Sequence, residues 1–149
     1  GNYMDIKKEF GTDVRKETEG VWIDDFGDGL KVKIARIGNP EYQKLFNRIS
    51  KPHRKAIRRG TLRDETAEAL LTQAMAKAIL LDWKGLTEDG KEIPYSYENA
   101  LRLLTEYKDF REQITESATE IESFRIEDDE DAEKNSGKSS SGTGKSVTS

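Results

Sequence analysis

No cysteine occurs among the 149 residues, which excludes disulfides, thiolate metal sites and thiol nucleophiles. His53 is the single histidine, so a transition-metal site would lack most of the ligands it usually draws on. Long apolar runs are missing too. The longest, Ala78-Ile79-Leu80-Leu81, falls far short of the ~20 residues a membrane-spanning helix needs. No basic-then-apolar leader opens the chain, and a cytoplasmic location is the default expectation. Gly1-Asn2-Tyr3 precede Met4, and Met4 reads as the natural first residue.

Charge is abundant by contrast. Charged residues make up 36% of the chain against a usual share of roughly 25%. Part of that excess sits at the end, where residues 127–149 hold six acids, three lysines and only Ala132 and Val147 as hydrophobic residues. That stretch accounts for −3 of the net −4, leaving the first 126 residues near neutrality. A near-neutral body does not advertise nucleic acid globally, so such a role would rest on a local patch. The expected organisation is an arm over 1–18, one α+β domain over 19–126, and a disordered tail over 127–149, acidic and then rich in Ser, Gly and Lys.

Residues 4–18 are polar and weakly patterned, which suggests an arm or a short edge strand. Val21-Trp22-Ile23 and the run from Leu30 to Ile37 flank Phe26-Gly27-Asp28-Gly29, and Asp-Gly supplies the positive φ of a hairpin turn. Leu30, Val32 and Ile34 alternate with Lys31 and Lys33, giving one buried and one wet face. Asn39-Pro40 reads as an N-cap followed by proline at the first helical position. Tyr42, Leu45, Phe46 and Ile49 follow at helical spacing, and Pro52 ends that helix near Ser50. Asp64 or Thr66 opens the longest helix, with Ala67, Leu70, Leu71, Ala74, Ala78 and Leu81 as its stripe and Gly85 as its cap. Residues 85–95 read as a loop turning at Asp89-Gly90. Ser96 caps a helix carrying Ala100, Leu101, Leu103, Leu104 and Tyr107. A last helix aligns Phe110, Ile114, Ala118 or Ser117, Ile121 and Phe124. The fold class expected is therefore α+β and mainly helical, an N-terminal β-hairpin followed by about four helices.

Several short motifs look chemical and fail on their surroundings. Asp25-Phe26-Gly27 matches the metal-binding triplet of protein kinases, without the glycine loop or catalytic loop that give it meaning. Asp24 to Gly29 has Phe26 and Ala35 where a calcium loop needs an oxygen ligand and a carboxylate. Gly142-Thr143-Gly144-Lys145-Ser146 has Ser139 where a phosphate-binding loop needs its first glycine. His53 has Lys51, Arg54 and Lys55 beside it, which favour neutral imidazole without orienting it, so an exposed and incidental role is expected. No catalytic, cofactor-binding or metal-binding residue is expected, and no enzyme.

Binding is another matter. Lys44, Arg48, Lys51, Arg54, Lys55, Arg58, Arg59 and Arg63 place eight cations in twenty residues with no acid among them. Such a cluster releases counterions from a phosphate backbone, yet no interleaved aromatics for base stacking accompany it. An acidic protein partner, the chain's own acidic tail or plain solvation would satisfy it as well. Leu80, Trp83 and Tyr97 fall off the main helical stripes, and Trp and Tyr are enriched at protein interfaces. The partner-binding candidates are thus Arg48, Lys51, Arg54, Lys55, Arg58, Arg59, Leu80, Trp83 and Tyr97.

One longer pattern carries a resemblance. Asp82-Trp83-Lys84-Gly85-Leu86, then Asp89 through Ser96 with Gly90-x-x-Ile93-Pro94-Tyr95-Ser96, then Asn99-Ala100-x-x-Leu103-Leu104, follow one another over a short span. Gly20-Val21-Trp22, Ala35-Arg36-x-x-Asn39 and Phe124 extend the pattern across residues 19–126. In this order the pieces resemble the tail assembly chaperones of long-tailed, siphovirus-type bacteriophages or prophages. The resemblance implies a non-enzymatic protein that binds the long, aggregation-prone tape measure protein in the host cytoplasm and is absent from the mature virion. It also implies possible partners in tail tube protein, reached through a longer frameshifted form, and in a second copy of the chain. Gly137-Lys138 and Gly144-Lys145 sit where a slippery codon would fall. A nucleic-acid-binding phage accessory protein using residues 44–63, and a structural head–tail or tail subunit, are the alternatives.

Overall fold

The computed structural model describes residues 2–126. The tail expected over 127–149 lies outside the described residues. Among them the chain is a mixed α/β fold dominated by helix, as its patterning implies. Two short helices, α1 (Ile6–Phe10) and α2 (Val14–Glu19), come first. They replace the arm or edge strand read from the sequence. Asp5 and Asp13 cap them, Asp5 accepting from Lys7 N and Lys8 N and Asp13 from Arg15 N. The segment is tied to the far end of the fold: Asp13 N donates to Phe124 O at 2.8 Å, and Lys16 Nζ donates to Arg125 O at 3.1 Å.

Strands β1 (Val21–Ile23) and β2 (Lys31–Ile34) form the expected hairpin, with Val32 and Ile34 fully buried. Helix α3 (Pro40–Ser50) starts where Asn39-Pro40 implied. Asn39 Oδ1 accepts from Glu41 N and Tyr42 N, while Asn39 Nδ2 donates to Arg36 O and to Ala78 O. A 3-10 turn over Lys51–His53 leads into α4 (Arg54–Arg59), a helix not anticipated within the basic stretch, and His53 is half-buried in that turn. Helix α5 (Asp64–Ala78) is the longest. It buries Leu70, Ala74 and Ala78 as expected, together with Met75 and Ala76, but leaves Leu71 exposed.

The largest departure follows α5. The helix stops at Ala78, and Leu80–Lys84 becomes strand β3, pairing antiparallel with β2 to complete a sheet ordered β1-β2-β3. Val32 faces Trp83 and Lys33 faces Asp82, but Ile34 faces Leu80, so Leu81 is an extra residue. That bulge explains the burial. In a regular strand, residues three apart point to opposite faces; one inserted residue puts Leu80 and Trp83 on the same inner face. Leu80 and Trp83 are 0% and 5% exposed, so both belong to the core instead of offering themselves to a partner.

The stretch read as a loop holds a second, two-stranded hairpin, β4 (Thr87–Glu88) and β5 (Lys91–Glu92). Its two-residue turn has φ of 53° at Asp89 and 79° at Gly90, the pairing a tight hairpin requires. Helix α6 (Tyr97–Glu106) is capped by Ser96, which accepts from Asn99 N at 3.0 Å. Tyr107 breaks the helical path, and α7 (Lys108–Thr119) then turns back, fixed by Arg111 donating to Leu104 O and pairing with Glu68 at 2.6 Å. Phe124 is fully buried in a 3-10 turn over Ile121–Phe124, separate from α7. Helix α5 packs on α3, α6 and β3, and α7 packs on β2, around one core.

Candidate protein-interaction surfaces

The stretch that carried the resemblance is a clamp. Trp83 Nε1 donates to Ile93 O at 2.7 Å, and the indole meets the Tyr95 ring edge-on at 4.9 Å. Tyr95 Oη donates to Leu80 O at 2.7 Å, and Asn99 Nδ2 donates to Pro94 O at 2.9 Å. Gly85 is held to glycine by crowding: a Cβ there would lie 2.7 Å from Gly29 O. Trp83 and Tyr95 thus secure β3 to the segment before α6, and Asn99 ties that segment to the helix. These residues build the frame.

Three surfaces remain open. The first is basic. Arg48, Lys51, Arg54, Lys55, Arg58 and Arg59 lie along α3, the 3-10 turn and α4, all exposed and all without an ion-pair partner among the described residues. Lys44 and Arg63, at the ends of the stretch, reach Glu41 and Glu65 only at 3.9 and 3.8 Å. The structure thus brings the six cationic candidates together. It does not bring Tyr97 to them: that ring is half-buried beneath Lys77 Nζ at 5.5 Å.

The second is a groove of about 790 Å³ between the β4–β5 hairpin and the α6–α7 corner. Leu86, Ile93, Leu103 and Phe110 line it with apolar surface, Glu88, Asp89, Glu106 and Asp109 supply carboxylates, and Lys108 adds one cation. Arg102 donates to Glu88 at 2.9 Å and to Glu106 at 3.1 Å. Its hydrogen bond, and then one from the Tyr107 hydroxyl, hold the Glu88 carboxyl below its ordinary range. The same contact with Glu88 pushes the Tyr107 phenol up. Asp89 and Asp109 have no cationic partner among the described residues. Sequence reasoning missed this groove. The available signal was Leu86-x-Glu88 and Lys91-x-Ile93 placed symmetrically about Asp89-Gly90, which is a hairpin spacing.

The third is apolar. Helices α1 and α2 have no buried residue, and Ile6, Phe10 and Val14 are 72%, 58% and 66% exposed. Ile6 and Phe10 share a helix face by their i, i+4 spacing. Met4 and Tyr3 stand exposed beside them. A smaller polar recess of about 380 Å³ lies between Glu17, Arg36, Asn39 and Thr119. There the Thr12 hydroxyl, donating at 2.6 Å, is the main influence holding the Glu17 carboxyl low; burial opposes it and Arg36 at 2.6 Å assists.

Among the described residues, no three His, Cys, Asp or Glu side chains group so as to hold a metal ion. No helix there is long and apolar enough to cross a membrane. No curated protein and no solved structure matches the chain. A family model described as YdaY prophage protein matches residues 37–135, from the turn before α3 through the clamp, the groove and α7, and the chain belongs to that prophage family.

Proposed function

We propose that this prophage protein is a non-enzymatic tail assembly chaperone that covers apolar surface on the tape measure protein and keeps it soluble. The observation that supports this reading is the unpartnered apolar face of α1 and α2. Exposed apolar clusters on a small protein mark sites of association, and an amphipathic client helix is met by shape and burial without reactive groups. The face lies before residue 37, where the match to the family begins. Recruitment of tail tube protein through a longer translational form is part of the same reading.

Co-expression with the product of the long, helix-rich reading frame beside the gene tests it. The client should stay soluble and co-purify. Replacing Ile6 and Phe10 by Asp should abolish this while leaving the melting curve nearly unchanged, because α1 buries nothing. A client equally soluble without the chain removes the reading. Mass spectrometry of purified particles separates a chaperone, which is absent, from a structural tail subunit, which is present in stoichiometric amount. The six cations of α3, the 3-10 turn and α4, unpaired among the described residues, support a second reading, nucleic-acid binding. Failure to shift duplex or single-stranded DNA at low salt would exclude that.

A further inference from the structure

We infer that Arg125 is the positioning residue of the apolar face read above as the client site, because its guanidinium holds α1 in place beside α2. Helix α1 has five residues and buries none of them. An isolated helix shorter than roughly 12–15 residues is marginal in water, so α1 needs an outside tie to keep its shape and place. Arg125 Nη1 supplies one, donating to Lys8 O at 2.8 Å and also to Glu9 O. Both carbonyls lie in the last turn, where a helix has no partners of its own to offer, and a cationic donor makes the stronger kind of bond. Among the described residues, no other hydrogen bond or ion pair links Ile6–Phe10 to anything beyond Asp5 and Gly11.

Arg125 is itself anchored. Phe124 before it is fully buried, and Phe124 O accepts from Asp13 N, at the head of α2, at 2.8 Å. Arg125 forms an antiparallel bridge with Thr12, its carbonyl accepts from Lys16 Nζ at 3.1 Å, and its Nε lies 3.2 Å from a Glu122 carboxylate oxygen. Helix α2 has a further tie in Glu17, which pairs with Arg36 at 2.6 Å. Helix α1 has only the guanidinium. Gly11-Thr12-Asp13 separates Ile6 and Phe10 on α1 from Val14 on α2, so their relative placement is fixed only while α1 is held. Without the side chain of Arg125 a partner must order α1 as it binds, and affinity falls with the docked fraction that is lost.

This role for Arg125 rests on the client reading of the face, and two measurements on the full chain separate them. The first is amide hydrogen exchange of the protein alone. In Arg125→Ala the amides of Glu9 and Gly11, bonded to Asp5 O and Lys7 O, should exchange about tenfold or more faster, the size expected for a lost bond to a charged group. Amides in the middle of α5 should keep their wild-type rates. Arg125→Lys keeps the charge and loses the planar fork, and should lie between. The second is recovery of soluble client in co-expression, which should fall in the order wild type, Arg125→Lys, Arg125→Ala. Wild-type exchange throughout α1 in Arg125→Ala overturns the proposal and leaves the client reading standing. So does a loosened α1 that recovers as much client as the wild type. Faster exchange across α5 in both variants also overturns it, since Arg125 would then belong to the frame of the whole fold. A client recovered equally well by a chain carrying Ile6→Asp and Phe10→Asp removes the client reading itself, and the role of Arg125 with it.

Discussion

Strand β3 and helix α4 are alike in length, and each comes after a longer helix. Their fates differ. β3 has one backbone neighbour in β2, and its other side is held by Tyr95 Oη on Leu80 O and by the Trp83 indole on Ile93 O. α4 ends in a left-handed Gly60, has no side-chain cap and buries no residue. The contrast teaches where to look for function in a chain of this size. Side chains that bond to backbone carbonyls far along the sequence become frame, however much their residue types suit an interface. A segment that makes no such bonds keeps its side chains for something else.

Trp83→Ala is the strongest way to test that division. It removes a buried indole and leaves Ile93 O without its donor, so the cost should be about 3–5 kcal/mol, read from urea unfolding. A loss under about 1 kcal/mol would mean that the clamp is not part of the frame. Asn39→Ala should come next, at about 2 kcal/mol, because one side chain caps α3 and also serves the buried carbonyl of Ala78. Its effect should spread to β3, since the Ala78 carbonyl is where α5 hands over to the strand.

Those two residues also show what a linear reading can and cannot see. Asn39-Pro40, Ser96 and the two Asp-Gly turns act within a few residues of themselves, so their chemistry is visible in order along the chain. The alternation of Val32 and Ile34 is equally local. The end of α5 is not. Ala78 through Leu81 continues the helical phase, and what stops it is an asparagine side chain 39 residues earlier and an open edge on β2. Leu80 and Trp83 looked like surface residues because they fall off that helical stripe; in β3 the bulge at Leu81 turns both to the inner face. The groove is hidden for the same reason: Leu86 and Phe110 line it from either side of the corner at Tyr107, which Arg111 fixes through Leu104 O. The six cations were legible because charge without a partner leaves a trace in composition alone.

A subtler test of the clamp uses pH. Burial, with a smaller push from the Asp82 charge, raises the Tyr95 phenol from 10.0 to about 12. A folded-state pKa raised above the unfolded one means that the neutral phenol is favoured by folding. Its contribution is complete below pH 10 and is lost as the pH climbs from there through about 12. Stability of the wild type should therefore fall over that alkaline window. Tyr95→Phe should cost about 1 kcal/mol near neutrality for the lost bond to Leu80 O, and should flatten the alkaline fall. Equal slopes for the two proteins would show that the phenol is not the group responsible.

The smallest effect is the most informative about α4. Arg54→Ala or Arg58→Ala removes a side chain with no partner among the described residues, so unfolding free energy should move by no more than about 0.5 kcal/mol. Removing both should be neutral or slightly stabilising, because like charges crowd the turn of helix they share. Thermal melts at low and high salt read the difference: relief of repulsion appears at low salt and fades as the charges are screened. A double variant that instead loses several kcal/mol would place these arginines in the frame with Trp83. It would also remove the reason for assigning α4 to a partner, since a cation that stabilises its own fold is already in use.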